Sequence, residues 1–321
     1  MLRLSSQTAK RNQKELKGRV FLAVFYAKKI FFLHLPISKK NSLTVEDHTD
    51  YYIDVDKVIA SKNPRLKKFL PKFIISYLKR IVHQDEINGV LRRHGHKQGL
   101  EFVNSTLKEL GISYRVYGIE NLKIDGRYLF ASNHPLGGLD GLIMMSEMGR
   151  HYDNIKFVVN DLLLNIKQLE PLFIPVNKHG RQSADYAAKI EEAYSSDAQV
   201  LYFPAGLCSR KVKGSIVDLE WHKNFIQKAI KHQRDVVPVY FSGRNSEFFY
   251  NLSNLRSKVG IKVNFEFIYL VDEMFRQKDK KIDIVIGEPI PHSTFDKSKT
   301  LNEWASFVRE KSYALAEQLD N

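Results

Sequence analysis

The sequence predicts an α/β fold, with a mixed, largely parallel central sheet flanked by helices and an N-terminal amphipathic helical segment. Three observations lead there. From Ile112 onward, short apolar runs alternate with stretches of helical period. The runs close in turns rich in Gly, Pro, Asn and Ser, as strand ends do. At 321 residues the chain is long enough to bury one good-sized core and an accessory segment.

Residues 1–45 read as a basic extension. They start polar and basic, pass through Phe21, Phe25, Tyr26, Ile30, Phe31 and Phe32, and reach Pro36 and Lys39-Lys40. That composition suits a membrane-surface anchor. It equally suits an extension of little order, as a start codon placed too far upstream would leave. The missing helical period favours the second reading, and deletion of 1–45 is then expected to leave activity largely intact. Val20–Ala27 is apolar but lies between Arg19 and Lys28, far short of the roughly 20 residues that span a bilayer. No small-residue cleavage site follows it, so it is not read as a signal peptide.

Residues 46–111 read as a helical, membrane-associated segment. Asn63 and Pro64 suit an N-cap and a first helical position. Leu66, Phe69, Leu70, Phe73, Ile74, Tyr77, Leu78 and Ile81 then form a helical stripe, with Lys67, Lys68, Lys72, Lys79 and Arg80 on the other faces. Pro71 is expected to break or kink it. Such a stripe packs on the core or lies on a lipid headgroup layer. Asp85 is placed to cap a further helix. Another, holding Phe102, Val103, Leu107 and Leu110, stops at Gly111.

Residues 112–321 carry the alternation. Strands are expected at Ile112–Val116, Tyr128–Ala131, Lys156–Val159, Leu172–Val176, Val200–Phe203, Val236–Phe241 and Ile282–Ile286. Helices are expected after the Tyr128 strand, around Leu162–Leu169, at Ala184–Tyr194 and Trp221–His232, and over 301–319. Asp218 and Glu220 are expected to cap the Trp221 helix. In folds of this kind the chemistry sits beyond the carboxyl ends of the strands.

Composition narrows the function. One cysteine, Cys208, excludes an internal disulfide and a cysteine zinc site. The formal charge is +14, but residues 1–40 hold ten Lys/Arg and one Glu, so most of it lies in the tail. Such a tail meets anionic surfaces, either membrane or nucleic acid. A basic nucleic-acid-binding protein is therefore the rival reading, although no recognised nucleic-acid module occurs. A hydrolase elbow of the form Gly-x-Ser-x-Gly is also missing. His94 and His96 lack a carboxylate at metal-ligand spacing.

The most informative stretch is 128–141. An apolar run, Tyr128–Ala131, ends in Ser132-Asn133-His134-Pro135, then Gly137-Gly138 and Asp140. The glycines let the loop fold back, so Asp140 is expected to reach the His134 ring. A His held in one tautomer by a carboxylate is a ready general base. Taken alone, Asn-His-Pro is ordinarily a capping turn. Three later strand ends bear cations: Lys178 and Arg181, then Ser209-Arg210-Lys211, then Arg244. Arg and Lys gathered with glycine amides are how proteins hold phosphate or carboxylate. Cys208 beyond its strand is a weaker, nucleophilic candidate, with no His beside it in sequence.

Asn133-His134 with Asp140, Phe203-Pro204 with Gly206, and Val237-Pro238-Val239 together resemble the motifs of the glycerolipid acyltransferase family, the lysophosphatidic-acid acyltransferase-like enzymes. The resemblance covers residues 110 to 290, and motif order agrees. It implies acyl transfer from acyl-CoA or acyl carrier protein to a lyso-lipid hydroxyl, with no resident cofactor or metal. It implies His134 as base, Asp140 as its orienter and no protein nucleophile. Amides around Gly206, or Gly137 and Gly138, are implied for the oxyanion. Asn133, Phe203 and Pro204 are placed at the substrate. Lys178, Arg181, Ser209, Arg210 and Arg244 are placed at the acceptor headgroup or donor phosphates. A peripheral enzyme on the cytoplasmic face of a bacterial inner membrane follows, with residues 112–321 as catalytic domain.

Two departures stand out. Five residues separate His134 from Asp140 where the family usually has four, and Ala205 replaces the Glu of Phe-Pro-Glu-Gly. That Glu is associated with a glycerol phosphate acceptor. The form Asn-His-Pro-Leu-Gly-Gly-Leu-Asp-Gly is similar to a hemolysin-like branch that includes O-acyltransferases of ornithine and glycine aminolipids.

Overall fold

The computed structural model describes residues 53–62, 70–159, 166–175 and 184–319. The extension 1–45, the Asn63-Pro64 start, the first half of the stripe and the helix expected from Leu162 lie outside them or largely so. The chain divides into two units.

One unit takes the described residues up to Arg92 together with Leu255–Asp272. It holds α1 (Val55–Lys62), α2 (Lys72–Ile81) and most of α3 (Gln84–His94). Pro71 stands at the N-cap of α2, where a missing N–H costs nothing, so this helix of the stripe starts beyond it. Ile59, Leu70 and Ile74 are buried together against Val55, Ile75 and Leu78. The Asn88 amide fastens the start of α1, donating to the Ile53 carbonyl at 2.8 Å and accepting its N–H at 2.7 Å. Asp85 lies in the first turn of α3, which begins one residue earlier at Gln84.

The other unit, Arg93–Asn254 with Glu273–Asn321, holds the sheet. After α4 (Gly99–Glu109) come β1 (Arg115–Tyr117), β2 (Tyr128–Ser132), α5 (Gly138–His151), β3 (Ile155–Val159) and β4 (Phe173–Pro175). Then follow α6 (Ala184–Ser195), β5 (Gln199–Tyr202), a hairpin of β6 (Arg210–Val212) and β7 (Ser215–Val217), α7 (Asn224–His232) and β8 (Asp235–Phe241). The chain closes with α8 (Glu247–Lys258), α9 (Leu270–Phe275), β9 (Asp283–Ile286) and α10 (Leu301–Ala314). The main sheet has the order β1-β9-β8-β2-β5-β3-β4. Its pairs are parallel except β8 with β9, which makes it mixed and largely parallel.

β2 runs between β5 and β8 and is buried at every residue. Alternation divides its side chains between two cores. Leu129 and Ala131 join Ile190, Phe225, Ile226, Trp304 and Val308, from α6, α7 and α10, on one face. Tyr128 and Phe130 meet the Tyr152 ring, just past α5, with centroids 6.4 and 6.5 Å away. With both faces covered, the position of the β2 carboxyl end is fixed.

Arg234 fixes the end of α6. It is fully buried. Its guanidinium donates to the carbonyls of Tyr194, Ala198 and Ser196 at 2.8, 2.6 and 2.6 Å. The first is an orphan carbonyl of the helix C-terminus, where a cation is favoured, and the other two lie in the link from α6 to β5.

Candidate active site

The loop that leaves β2 is tied to β8 at once. Asn133 donates through Nδ2 to the Phe241 carbonyl at 3.0 Å, and its Oδ1 accepts the Phe241 N–H at 2.7 Å. Expected at the substrate, Asn133 instead sets the direction in which His134 leaves the sheet. Asn245 adds a second tie, donating to the Pro135 carbonyl at 3.0 Å.

Gly137 then takes φ +77° and ψ −131°, a backbone that any side chain would strain. The turn puts Asp140 in the first turn of α5, pointing back at the loop. Its Oδ2 accepts the Leu136 N–H at 2.8 Å and lies 3.0 Å from Nδ1 of His134. The longer spacing between the two residues therefore does not part them.

Asp140 is wholly buried, whereas His134 keeps 16% of its side chain exposed. A carboxylate on Nδ1 selects the tautomer that leaves Nε2 as the bare nitrogen. The Phe203 ring stacks on the imidazole at 4.1 Å and 18°, and Phe157 meets Phe203 edge-on at 5.4 Å. Burial disfavours a charged His134. Interactions with the Cys208 side chain and the Asp140 carboxylate outweigh burial, and the imidazole pKa is raised. Burial pushes the Asp140 carboxyl above the usual carboxylate range, against the pull of His134 and the Leu136 N–H.

The other expected residues divide. The Gly206 N–H donates to the Phe203 carbonyl at 3.0 Å, so it closes a turn and is not offered to an oxyanion. The Pro204 carbonyl accepts the His222 N–H at 3.1 Å. At Gly138, which opens α5, nothing lies within 4 Å of where a Cβ would stand. Ser209 works on the scaffold: its N–H donates to the His134 carbonyl at 2.8 Å and its hydroxyl to Asp218 at 2.6 Å. Arg210 is buried, donates to the Cys208 carbonyl at 3.2 Å and lies over the Phe249 ring. Arg244 is solvent-exposed and pairs with Glu247, so it does not join a buried anion pocket. Lys178 and Arg181 fall outside the described residues. Among the described residues, no group of three His, Cys, Asp or Glu is arranged to hold a metal ion.

Asp218 is a further correction. Helix α7 begins at Asn224, so Asp218 does not cap it. It is buried under the His134 loop and accepts the His134 N–H at 3.2 Å. Nothing local signals this, since the two residues are 84 apart.

A protein-family model described as acyltransferase matches residues 57–321. The chain belongs to that family. It is an enzyme that transfers acyl groups. A lyso-glycine lipid O-acyltransferase of Bacteroides thetaiotaomicron is 50% identical over 270 residues, covering 84% of this chain and 99% of that protein. A second protein of the same name, from Phocaeicola vulgatus, is 45% identical over 278 residues, covering 86% of this chain and 100% of its own length. Among solved structures, the 1-acyl-sn-glycerophosphate acyltransferase of Thermotoga maritima aligns over 78% of this chain and 93% of its own, with a TM-score of 0.42 and 18% identity.

Proposed function

We propose that this acyltransferase moves a fatty acyl group from an acyl thioester to the hydroxyl of a lyso-glycine lipid, in membrane lipid biosynthesis. The observation that carries the reading is the buried His134–Asp140 pair, in a chain half identical to a lyso-glycine lipid O-acyltransferase. Ala205 in place of the family's Glu supports an acceptor other than a glycerol phosphate.

His134 Nε2 takes the proton of the acceptor hydroxyl as its oxygen attacks the thioester carbonyl. Asp140 holds the ring in the productive tautomer and stabilises the imidazolium that forms. The open N-terminus of α5 at Gly138 is where the tetrahedral oxyanion is held, by backbone N–H groups and the helix dipole. The intermediate collapses, the donor thiolate leaves, and the imidazolium returns the proton to it. No protein nucleophile is required. Arg210 is the buried cation assigned to an anionic group of the acceptor or donor.

CoA and acyl carrier protein are the two donor classes. The lipid acceptor and the basic N-terminal part support a peripheral enzyme on the cytoplasmic face of the inner membrane, with the catalytic chemistry in 112–321. No helix among the described residues is long and apolar enough to cross a membrane.

Purified protein given monoacyl glycine lipid and either thioester tests this. Formation of the diacyl lipid with at least one donor is expected. No product with either, or a preference for lysophosphatidate, contradicts the acceptor assignment.

A further inference from the structure

Asp218 lies between β7 and α7 and is 3% exposed. Three donors converge on its carboxylate. Oδ1 accepts the His134 backbone N–H at 3.2 Å and the Ser209 hydroxyl at 2.6 Å, while Oδ2 accepts the Trp221 indole N–H at 2.9 Å. The Ser209 N–H returns a bond to the His134 carbonyl at 2.8 Å. Both polar groups of the His134 main chain are thus held by one neighbouring stretch.

Asp218 is itself held by α10. Its N–H donates to the Tyr313 hydroxyl at 2.7 Å, and its carbonyl accepts from Arg309 at 3.0 Å. The closing helix therefore reaches the His134 loop through one carboxylate. Only a side chain that accepts on both oxygens satisfies three donors. An amide at this position must turn its NH₂ toward at least one of them.

We propose that Asp218 is a positioning residue for acyl transfer, whose carboxylate sets the place of the His134 main chain and so the reach of Nε2 to the acceptor hydroxyl. The inference rests on the His134-dependent transfer proposed above. Misplacement of a catalytic group by about 1 Å costs on the order of 10²-fold in rate. Asp218 also sets a second negative charge near Asp140, and Cys208 and Tyr250 are the further ionisable side chains coupled to the pair.

The test compares wild type, Asp218→Asn, and Asp218→Asn combined with Trp221→Phe. In the single variant an amide N–H opposes a donor. In the double variant the indole donor is gone, so the amide oxygen takes His134 and Ser209 while its NH₂ faces the vacated side. The single variant is expected to lose about 10²-fold in kcat with both KM values within about twofold. Its ascending pH–rate limb shifts to lower pH, because a buried negative charge that favours protonation of the pair is removed. The double variant is expected to regain about tenfold in kcat.

A single-variant kcat within about twofold of wild type overturns the proposal, as does a loss confined to KM. A double variant no faster than the single one overturns it too. Thermal unfolding accompanies each assay, and failure of both variants to fold assigns Asp218 to the scaffold alone, which also overturns it. Wild-type protein that transfers no acyl group defeats the acyl-transfer reading itself, and this control separates the two failures.

Discussion

His134 is held on three sides: Asp140 at Nδ1, Phe203 on the ring face, and Asp218 with Ser209 at the main chain. The Cys208 side chain also bonds to the ring, and 16% of the His134 side chain stays exposed. A base works only when unprotonated, and this imidazole has a raised pKa. The rate as kcat/KM should therefore climb with pH through a midpoint above the ordinary imidazole value of 6.5. A midpoint at or below that value contradicts the pairing. Asp140→Asn removes the carboxylate that favours the charged ring, so it should lower the midpoint and reduce kcat by about 10²-fold or more. Steady-state kinetics across pH reads both effects. The pair was legible in the sequence because its members lie six residues apart in one glycine-rich loop. Asp218 was not, because an acidic residue ahead of an apolar helix looks like a cap until a loop 84 residues away folds over it.

Among the elements, the β8 exit matters as much as the His134 loop it touches. A Cβ at Gly243 would stand 2.5 Å from the Leu136 side chain, which is fully buried in that loop. Gly243→Ala should push Leu136 and cost about 1–3 kcal/mol of stability and about tenfold in kcat. Unchanged unfolding and turnover would show that the contact is slack. Arg234→Leu takes the guanidinium from the Ala198 carbonyl, leaves those of Tyr194 and Ser196 to Arg127, and should lower stability by about 3 kcal/mol, read by denaturant unfolding. A loss under about 0.5 kcal/mol would mean that water replaces the guanidinium. The long apolar strands were readable from composition. The β6–β7 hairpin was not, since each strand has three residues, too few for a period to register. Its turn at Lys213 and Gly214 takes φ of 48° and 91°, a backbone that only the glycine announces in the sequence. Arg244 read as a pocket cation because it follows β8. The Glu247 one helical turn further on takes it to the surface.

Across the whole molecule, alternation of strands and helices announced the α/β class, but not the strand order. β2 lies between strands that begin 71 and 107 residues later in the chain, and β9 enters antiparallel to β8. Such pairings depend on distant segments that no local pattern encodes. The excess of positive charge also belongs to this scale. With +14 overall and most of it before residue 41, the protein should float with anionic vesicles and be released as salt rises. Equal flotation with neutral and anionic vesicles would remove charge as the attraction. The central claim remains chemical, and one substitution addresses it. His134→Ala protein, checked for wild-type unfolding and vesicle binding, should convert monoacyl glycine lipid on the order of 10³-fold more slowly than wild type. Turnover within about threefold of wild type would mean that another group takes the proton, and would contradict the account.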